Sequence, residues 1–417
     1  MLLLCLNLLA LSASAEIRHL YLTWGPDPCT SIVINIHGIE TPDDLTLYYD
    51  THSHLGKFEE YSQRATAKGS TAYMLPDERK LYHLLLSDLL PDTSYFFTVD
   101  GVEKRFRTLP KKGPLCFVEG GDWENAKKGE VLAIEAAKKN PHALWLGGDY
   151  PSHVFGWRDY KKWDEWLDIY TKTMISKEGN LIPLVAAIGN HEVIRQRAPF
   201  YFHYFHQGDQ DKSYFSMPLG NFARLFVLDS GHLASHDGEQ KKWLQKELER
   251  STEKIKIALY HVPLYPSVRT GKKEIFYYAL QGILKRFSPK ISEKLFSELS
   301  PEGMMHWLPL FDHHGLTCAF EHHDQALKRT KLLFEGKEDP DGTLYLGAGC
   351  FASGVQVFPV QGFFQNHFAF LKGKVQFFWF VEMEEGQITY QAINAEGVAI
   401  DHFVQKLGDR EDIRQKA

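Results

Sequence analysis

Five short apolar runs in this chain end on a side chain that can bind a metal ion. Leu115-Cys-Phe-Val-Glu-Gly-Gly-Asp122 and Ala143-Leu-Trp-Leu-Gly-Gly-Asp149 both close in Gly-Gly-Asp. Leu181 to Ile188 stops at Gly189 and presents Asn190, His191 and Glu192; Ile255 to Tyr260 ends on His261; Leu316 to Phe320 runs into Glu321, His322, His323 and Asp324. Each run has the length of a buried strand, with the polar group where the strand should end. Carboxylate and amide oxygens and imidazole nitrogens are ligands for hard and borderline cations. The two oxygens of Asp149 can bridge two cations about 3.5–4 Å apart, the spacing that two-metal hydrolases use. Open α/β sheets place ligands in the crevice at the carboxyl ends of their strands. Five such ends would gather Asp122, Asp149, Asn190, His261 and His323. A helix cap at Asp149 or a Gly-Asn turn at Gly189 would explain one segment each, but not five of one design.

The order Gly-Asp, Gly-Asp, Gly-Asn-His-Glu, His-Xaa-Pro and a closing His-rich pair resembles the calcineurin-like metallophosphoesterases, and within them the purple acid phosphatases. Leu22-Thr-Trp24 with Asp27-Pro28, Leu90 to Tyr95, Phe226 to Ser230, Trp243-Leu244 and His261 to Tyr265 carry the narrower resemblance. It implies an α/β (α+β) fold: an N-terminal fibronectin-III-like β-sandwich followed by a four-layer α/β/β/α sandwich. It also implies that Asp149 bridges two metals, that Asp122 completes one (M1), and that Asn190, His261 and His323 complete the other (M2). His191 would face the substrate phosphate or the leaving group. The cofactor would be two divalent or trivalent ions, Fe with Zn or Mn. The activity would be that of an acid phosphatase-like, metal-dependent phosphoric-ester hydrolase, acting on phosphomonoesters by attack of a metal-bound hydroxide. The chemistry explains the ligand set. Phosphomonoesters are anionic and repel hydroxide, and their uncatalysed hydrolysis is among the slowest reactions known. Two cations neutralise that charge and acidify a water, while an imidazole can protonate the departing alkoxide.

Two positions depart from the family pattern. Ser152 stands where a Tyr ligand of M1 is usual, and alignment on Lys328-Arg329 puts Gln325 where a second His is usual. Gln325 offers only a weak carbonyl-oxygen ligand, and Tyr150, His153, Glu321 and His322 are the nearest substitutes. Arg269, Lys272 and Lys273 occupy a loop where many relatives place His; they would make charge-assisted phosphate contacts or form a solvated basic loop. His313 and His314 read as structural or surface residues, and Glu192 as a residue that orders its own loop. Two other readings follow from the departures: a phosphodiesterase or nucleotide pyrophosphatase on the same scaffold, and a non-catalytic binding protein with a degraded M1.

The elements that must position these residues fall into three stretches. Met1 to Ala15 is apolar, ends in Ala-Ser-Ala and reads as a secretory signal peptide, although no Lys or Arg precedes its apolar core. A secreted or periplasmic protein is expected. Residues 17–108 carry short strand-like runs (Ser31 to Asn35, Leu45 to Tyr49, Tyr82 to Leu86, Tyr95 to Val99) at the spacing of a β-sandwich. Leu109 to Pro114 is the linker, and residues 115–408 form the metallophosphoesterase domain. There strands alternate with helices at Lys127–Lys139, Arg158–Met174, Glu239–Glu249 and Glu274–Arg286, before closing antiparallel strands around Leu344–Leu346, Val375–Val381 and Ile388–Ala392. At 417 residues, 44% hydrophobic and 24% charged, the composition is that of an ordinary globular chain of two or three domains. A net charge of −6 with no long basic run argues against a nucleic-acid backbone as partner. No later segment approaches the roughly 20 apolar residues of a membrane span. Of five cysteines, Cys5 lies in the signal; Cys116 and Cys318 fall within core strands and read as buried free thiols, leaving Cys29 and Cys350. No Cys spacing suits zinc.

Overall fold

In the computed structural model, which describes residues 16–71, 75, 77–151, 159–267, 299–352 and 364–408, the apolar runs are strands buried on both faces. Leu115–Gly120, Ala143–Leu146 and Leu184–Ala186 lie side by side and parallel. Alternate side chains leave a strand on opposite faces. Phe117, Trp145 and Val185 therefore point into one core, while Val118, Leu144 and Leu146 point into another, shared with the helices Ala126–Ala137 and Tyr160–Thr173. Burial on both faces is why these strands read as continuous apolar runs.

A second sheet of seven strands faces the first. Its central members, Ala223–Val227, Ile255–Leu259, Cys318–Glu321 and Leu344–Gly347, are parallel. Their inner side chains Leu225, Ile257, Leu259, Phe320 and Leu346 share the core of Phe117 and Trp145, whose rings stack at 4.3 Å. Each fully buried Leu, Ile or Phe there contributes about 1.5–3 kcal/mol. Their outer side chains Phe226, Ala258 and Ala319 pack with Leu244 and Leu248 of the helix Glu239–Arg250 and with Trp307 and Phe311 at the helix Leu308–His313. The result is helix, sheet, sheet, helix: the four-layer sandwich expected. One expected detail differs. Leu344–Gly347 lies in the second sheet, parallel to Cys318–Glu321 on one side and antiparallel to Leu327–Thr330 on the other, whereas Phe377–Glu384, Gln387–Asn394 and Ala399–Lys406 close the first sheet antiparallel. Residue pattern reports burial and period, not which neighbour a strand selects.

The N-terminal strands reveal something that periodicity could not. Glu16–Trp24, Ile32–Ile39 and Lys80–Leu86 face a separate four-stranded sheet that contains Asp44–Asp50 and Ser94–Thr98, and Leu22, Ile34 and Leu84 meet Leu47, Phe97 and Phe106 in their common interior. Yet Glu16–Trp24 also pairs parallel with Leu184–Ala186, through Thr23 and Leu184, so one sheet of ten described strands joins the N-terminal strands to the sandwich core. The segment Leu109–Pro114 carries no strand, but it is not slack: Leu109 is buried and the Lys111 carbonyl accepts from the Asn221 N–H at 2.9 Å.

Helix boundaries follow capping chemistry. Ala126–Ala137 begins where the Asn125 side chain accepts from the Lys128 N–H, and it buries Leu132, Ala133 and Ala136. The expected helix at Glu274–Arg286 and the segment Met1–Ala15 lie outside the described residues. Cys29, Cys318 and Cys350 are buried, whereas Cys116 is only partly buried. No described helix is long and apolar enough to cross a membrane.

Candidate metal centre

Each of the five strand ends leaves its sheet at the same edge, and close approach there demands glycine. The buried ring of His322 is wedged between two of the turns: a Cβ added at Gly147 would lie 1.9 Å from it, and one at Gly121 2.3 Å. That ring contacts the Glu119 carboxylate through Nε2 and the Tyr260 carbonyl through Nδ1 at 2.7 Å, so His322 supports the site from beneath. Four non-glycine residues at this edge take the left-handed conformation: Asp122 (φ 53°), Asp149 (φ 58°), His323 (φ 62°) and Gln325 (φ 54°). Such backbone is sparsely populated and gathers where side chains must be re-aimed.

Asp149 sits at the middle. Its Oδ1 accepts from the His191 N–H at 2.8 Å, and its Oδ2 lies 3.2 Å from His261 Nε2 and 3.7 Å from His191 Nε2. His261 Nδ1 is 2.8 Å from the Gly147 carbonyl, which makes Nδ1 the protonated nitrogen and leaves a lone pair on Nε2. That lone pair faces Asn190 Oδ1 at 3.1 Å and His323 Nδ1 at 3.1 Å, as well as the Asp149 carboxylate. A single proton on His323 can satisfy only one of these facing acceptors. A cation would satisfy all of them, so this donor set fits a metal.

Among the described residues, two groups of metal-competent atoms lie within 4.8 Å of one another: Asp149 with His261 and His323, and Glu124 with Asp149 and His191. Asp149 belongs to both. Asp122 is fully buried and tied to these groups by hydrogen bonds, its Oδ2 accepting from the His323 N–H at 3.1 Å and its Oδ1 from Gln325 Nε2 at 3.0 Å. Burial raises the Asp122 pKa to about 7, with the His261 charge opposing and the Asp149 charge adding to the rise.

Sequence reasoning placed Asp122, Asp149, Asn190, His191, His261 and His323 at one edge, and the structure brings them together. It missed two groups. Glu124 is the first, since an acidic residue just before a helix reads as ordinary N-terminal charge. The second is the partner set of Glu192. This buried carboxylate accepts from the N–H groups of Gly189 (2.7 Å), Asp149 (2.9 Å) and Tyr150 (3.0 Å), clamping the Asp149 turn to the Asn190 turn. Burial and the neighbouring Asp149 charge push its pKa up to about 8.

Of the substitutes considered for M1, Tyr150, Glu321 and His322 are committed elsewhere. The Tyr150 hydroxyl donates to the carbonyls of Ala187 (2.6 Å) and Leu146 (3.2 Å), within an aromatic cluster of Trp163, Trp166 and Phe205. Glu321 accepts from the Tyr260 hydroxyl at 2.8 Å and the Leu264 N–H at 2.7 Å, and pairs with Lys328. His313 and His314 pack on each other at the end of the helix Leu308–His313. Ser152, His153, Arg269, Lys272 and Lys273 lie outside the described residues.

The calcineurin-like phosphoesterase family model matches residues 84–301, just over half of the chain. The chain belongs to this family. Purple acid phosphatase 18 of Arabidopsis thaliana is 23% identical over 304 residues, which cover 67% of this chain and 60% of that relative. The chain thus spans well under two thirds of the length of that phosphoesterase. The solved structure of the purple acid phosphatase PPD1 from yellow lupin (Lupinus luteus) superposes with a TM-score of 0.71 at 14% identity, covering 96% of this chain and 75% of that one. The structure of PhoD superposes at 0.67 and 12% identity, covering 93% and 90%. At such identities the likeness speaks for the fold: a calcineurin-like phosphoesterase core continuous with N-terminal strands.

Proposed function

We propose that this phosphoesterase is an exported, binuclear-metal phosphatase that hydrolyses phosphomonoesters. The observation that carries the reading is Asp149, whose carboxylate is common to both groups of metal-competent atoms. In this reading Asp149 bridges, Asp122 serves M1, and Asn190, His261 and His323 serve M2. Fe with Zn or Mn are the expected ions. When bound, two such cations supply charge neutralisation for the phosphoryl group and a lowered pKa for an attacking water.

The chain's own residues supply the rest. His191 is the imidazole left 24% exposed beside the buried Asp149 carboxylate, so it can reach a phosphoryl oxygen or hand a proton to the departing alkoxide. Its backbone N–H holds Asp149 Oδ1 in place, and the Gly147 carbonyl orients His261. Glu192 keeps the bridging turn and the Asn190 turn in register. Arg269 and Lys272 would add charge-assisted contacts to phosphate. The apolar segment before Glu16, ending in Ala-Ser-Ala, supports export. Residues 17–108 would act as a fibronectin-III-like buttress for the catalytic domain of residues 115–408, since every site residue named here lies after Pro114.

The test is reconstitution of the purified, chelator-treated chain with Fe, Zn or Mn, followed by turnover of an aryl phosphomonoester and an aryl phosphodiester. Two ions per chain and faster monoester turnover, lost in Asp149→Ala, are expected. Preferential diester turnover would assign the phosphodiesterase reading. At most one ion and no turnover with any metal would assign a binding protein, the reading that Gln325 in place of a His favours.

A further inference from the structure

We propose that Glu124 is a ligand of the M1 position and that Gln325 completes it through its amide oxygen, so that M1 is an oxygen-only site for a hard divalent cation such as Mn2+. The inference rests on the binuclear reading above and concerns the half of the site where this chain departs from its relatives.

The geometry begins with Gln325. Its Nε2 donates to Asp122 Oδ1 at 3.0 Å and to Glu124 Oε1 at 2.6 Å, so two carboxylates from one loop converge on a single point. The Glu124 carboxylate also lies within 4.8 Å of Asp149 and of His191. Glu124 therefore shares the neutral Gln325 amide with Asp122 and lies beside Asp149 as well, with Asp122 and Asp149 at most 1% exposed. Grouping buried anions is unfavourable unless a positive charge compensates them. The cation that belongs there would sit where the amide N–H2 now mediates. A half-turn about the last side-chain torsion of Gln325 exchanges its nitrogen for its oxygen with little change of shape, turning a donor into a ligand. Glu124 can make this approach because the left-handed backbone at Asp122 turns the chain before Trp123, whose fully buried ring packs against Phe351 at 4.6 Å. The loop is pinned on both sides of Glu124, by Trp123 in the core and by the Asn125 cap of the following helix.

The two metal positions are then chemically unequal. M2 has two imidazoles, an amide oxygen and a shared carboxylate, a set suited to Zn2+, Fe2+ or Mn2+. M1 has three carboxylates and an amide oxygen, the set that hard cations prefer. With no imidazole or phenolate in that set, M1 would discriminate against Mn2+ in favour of Zn2+ less strongly than M2 does.

The experiment is metal binding to the full, chelator-treated chain, followed by calorimetry and by the electron paramagnetic resonance of Mn2+. One equivalent of Zn2+ is added first, to fill M2, and Mn2+ is then titrated. Wild type is expected to take up one Mn2+ in addition to Zn2+. Glu124→Gln should weaken that Mn2+ by at least ~10-fold and keep the Zn2+, while Gln325→His should strengthen Zn2+ at the second position by at least ~10-fold. A thermal melt of each Zn-loaded variant reports whether it is folded, and the gain in Gln325→His is a readout that misfolding cannot mimic. Two ions in wild type with unchanged Mn2+ binding in Glu124→Gln would overturn the assignment of Glu124 and leave the binuclear reading intact. A single ion in wild type would overturn both.

Discussion

The two halves of the candidate metal centre are built on different principles. On the M2 side, main-chain groups help to orient each proposed ligand: His261 through the Gly147 carbonyl, Asn190 through the turn whose Gly189 N–H Glu192 holds, and His323 through its own N–H on Asp122. The lone pairs there already converge. On the M1 side, the Asp122 and Glu124 carboxylates meet on one side-chain amide, that of Gln325. The lesson is that imidazoles anchored through the backbone make a site in advance of its metal, whereas clustered carboxylates make one that depends on a cation for its stability.

The most severe way to break this comparison is to remove what the halves share. Asp149→Ala is expected to lower phosphomonoester turnover by at least ~10³-fold, about 4 kcal/mol of barrier, and to weaken both ions. Loss of one ion alone, measured by elemental analysis, would mean that Asp149 does not bridge. His191→Ala should reduce kcat by roughly 10²–10⁴-fold with metal content unchanged, because its assigned role is toward the substrate. Metal loss in that variant would move His191 into the ligand set instead.

A subtler probe uses pH. The Asp122 pKa, normally near 4, is raised to about 7 in the metal-free fold, mainly by burial. An acid whose folded pKa is raised favours folding below its unfolded pKa and loses that contribution as pH rises through the folded value. Metal-free Asp122→Asn should therefore be more stable than the metal-free parent at pH 8.5 by about 1–3 kcal/mol, and show no such gain at pH 4. Thermal melts at the two pH values decide it, and an equal difference at both would refute the burial-raised pKa of Asp122. The smallest effect is expected from Tyr150→Phe. Loss of its hydrogen bonds to Ala187 and Leu146 should destabilise the fold by about 0.5–1.5 kcal/mol, while elemental analysis finds the same metal content. A lost ion would put Tyr150 back among the ligands.

Much of the site was legible because its residues come one per strand end, in Gly-Asp, Gly-Asn-His and His-Xaa-Pro settings that local pattern exposes. Glu124 was not legible, since two residues after Asp122 and one before a helix cap it looks like any acidic residue at a helix start. Glu192 was assigned to its own loop, yet two of its three partners lie more than 40 residues away. The strands could be read from runs buried on both faces, while their four-layer arrangement was what the family resemblance implied. The union of the N-terminal strands with the core sheet could not, because it depends on Thr23 meeting Leu184 across 161 residues of chain.

By itself, then, the sequence determined which residues could bind metal, that they stand at strand ends, and that Ser152 and Gln325 stand where the family resemblance puts a Tyr and a His. Those properties reside in residue type and local period. Only the tertiary structure decided that Asp149 is common to two groups of ligands, that Tyr150 and Glu321 are engaged elsewhere, and that Glu124 and Gln325 converge on Asp122. Such facts depend on left-handed turns and on loops brought together from distant strands, and no spacing along the chain encodes a distance between them.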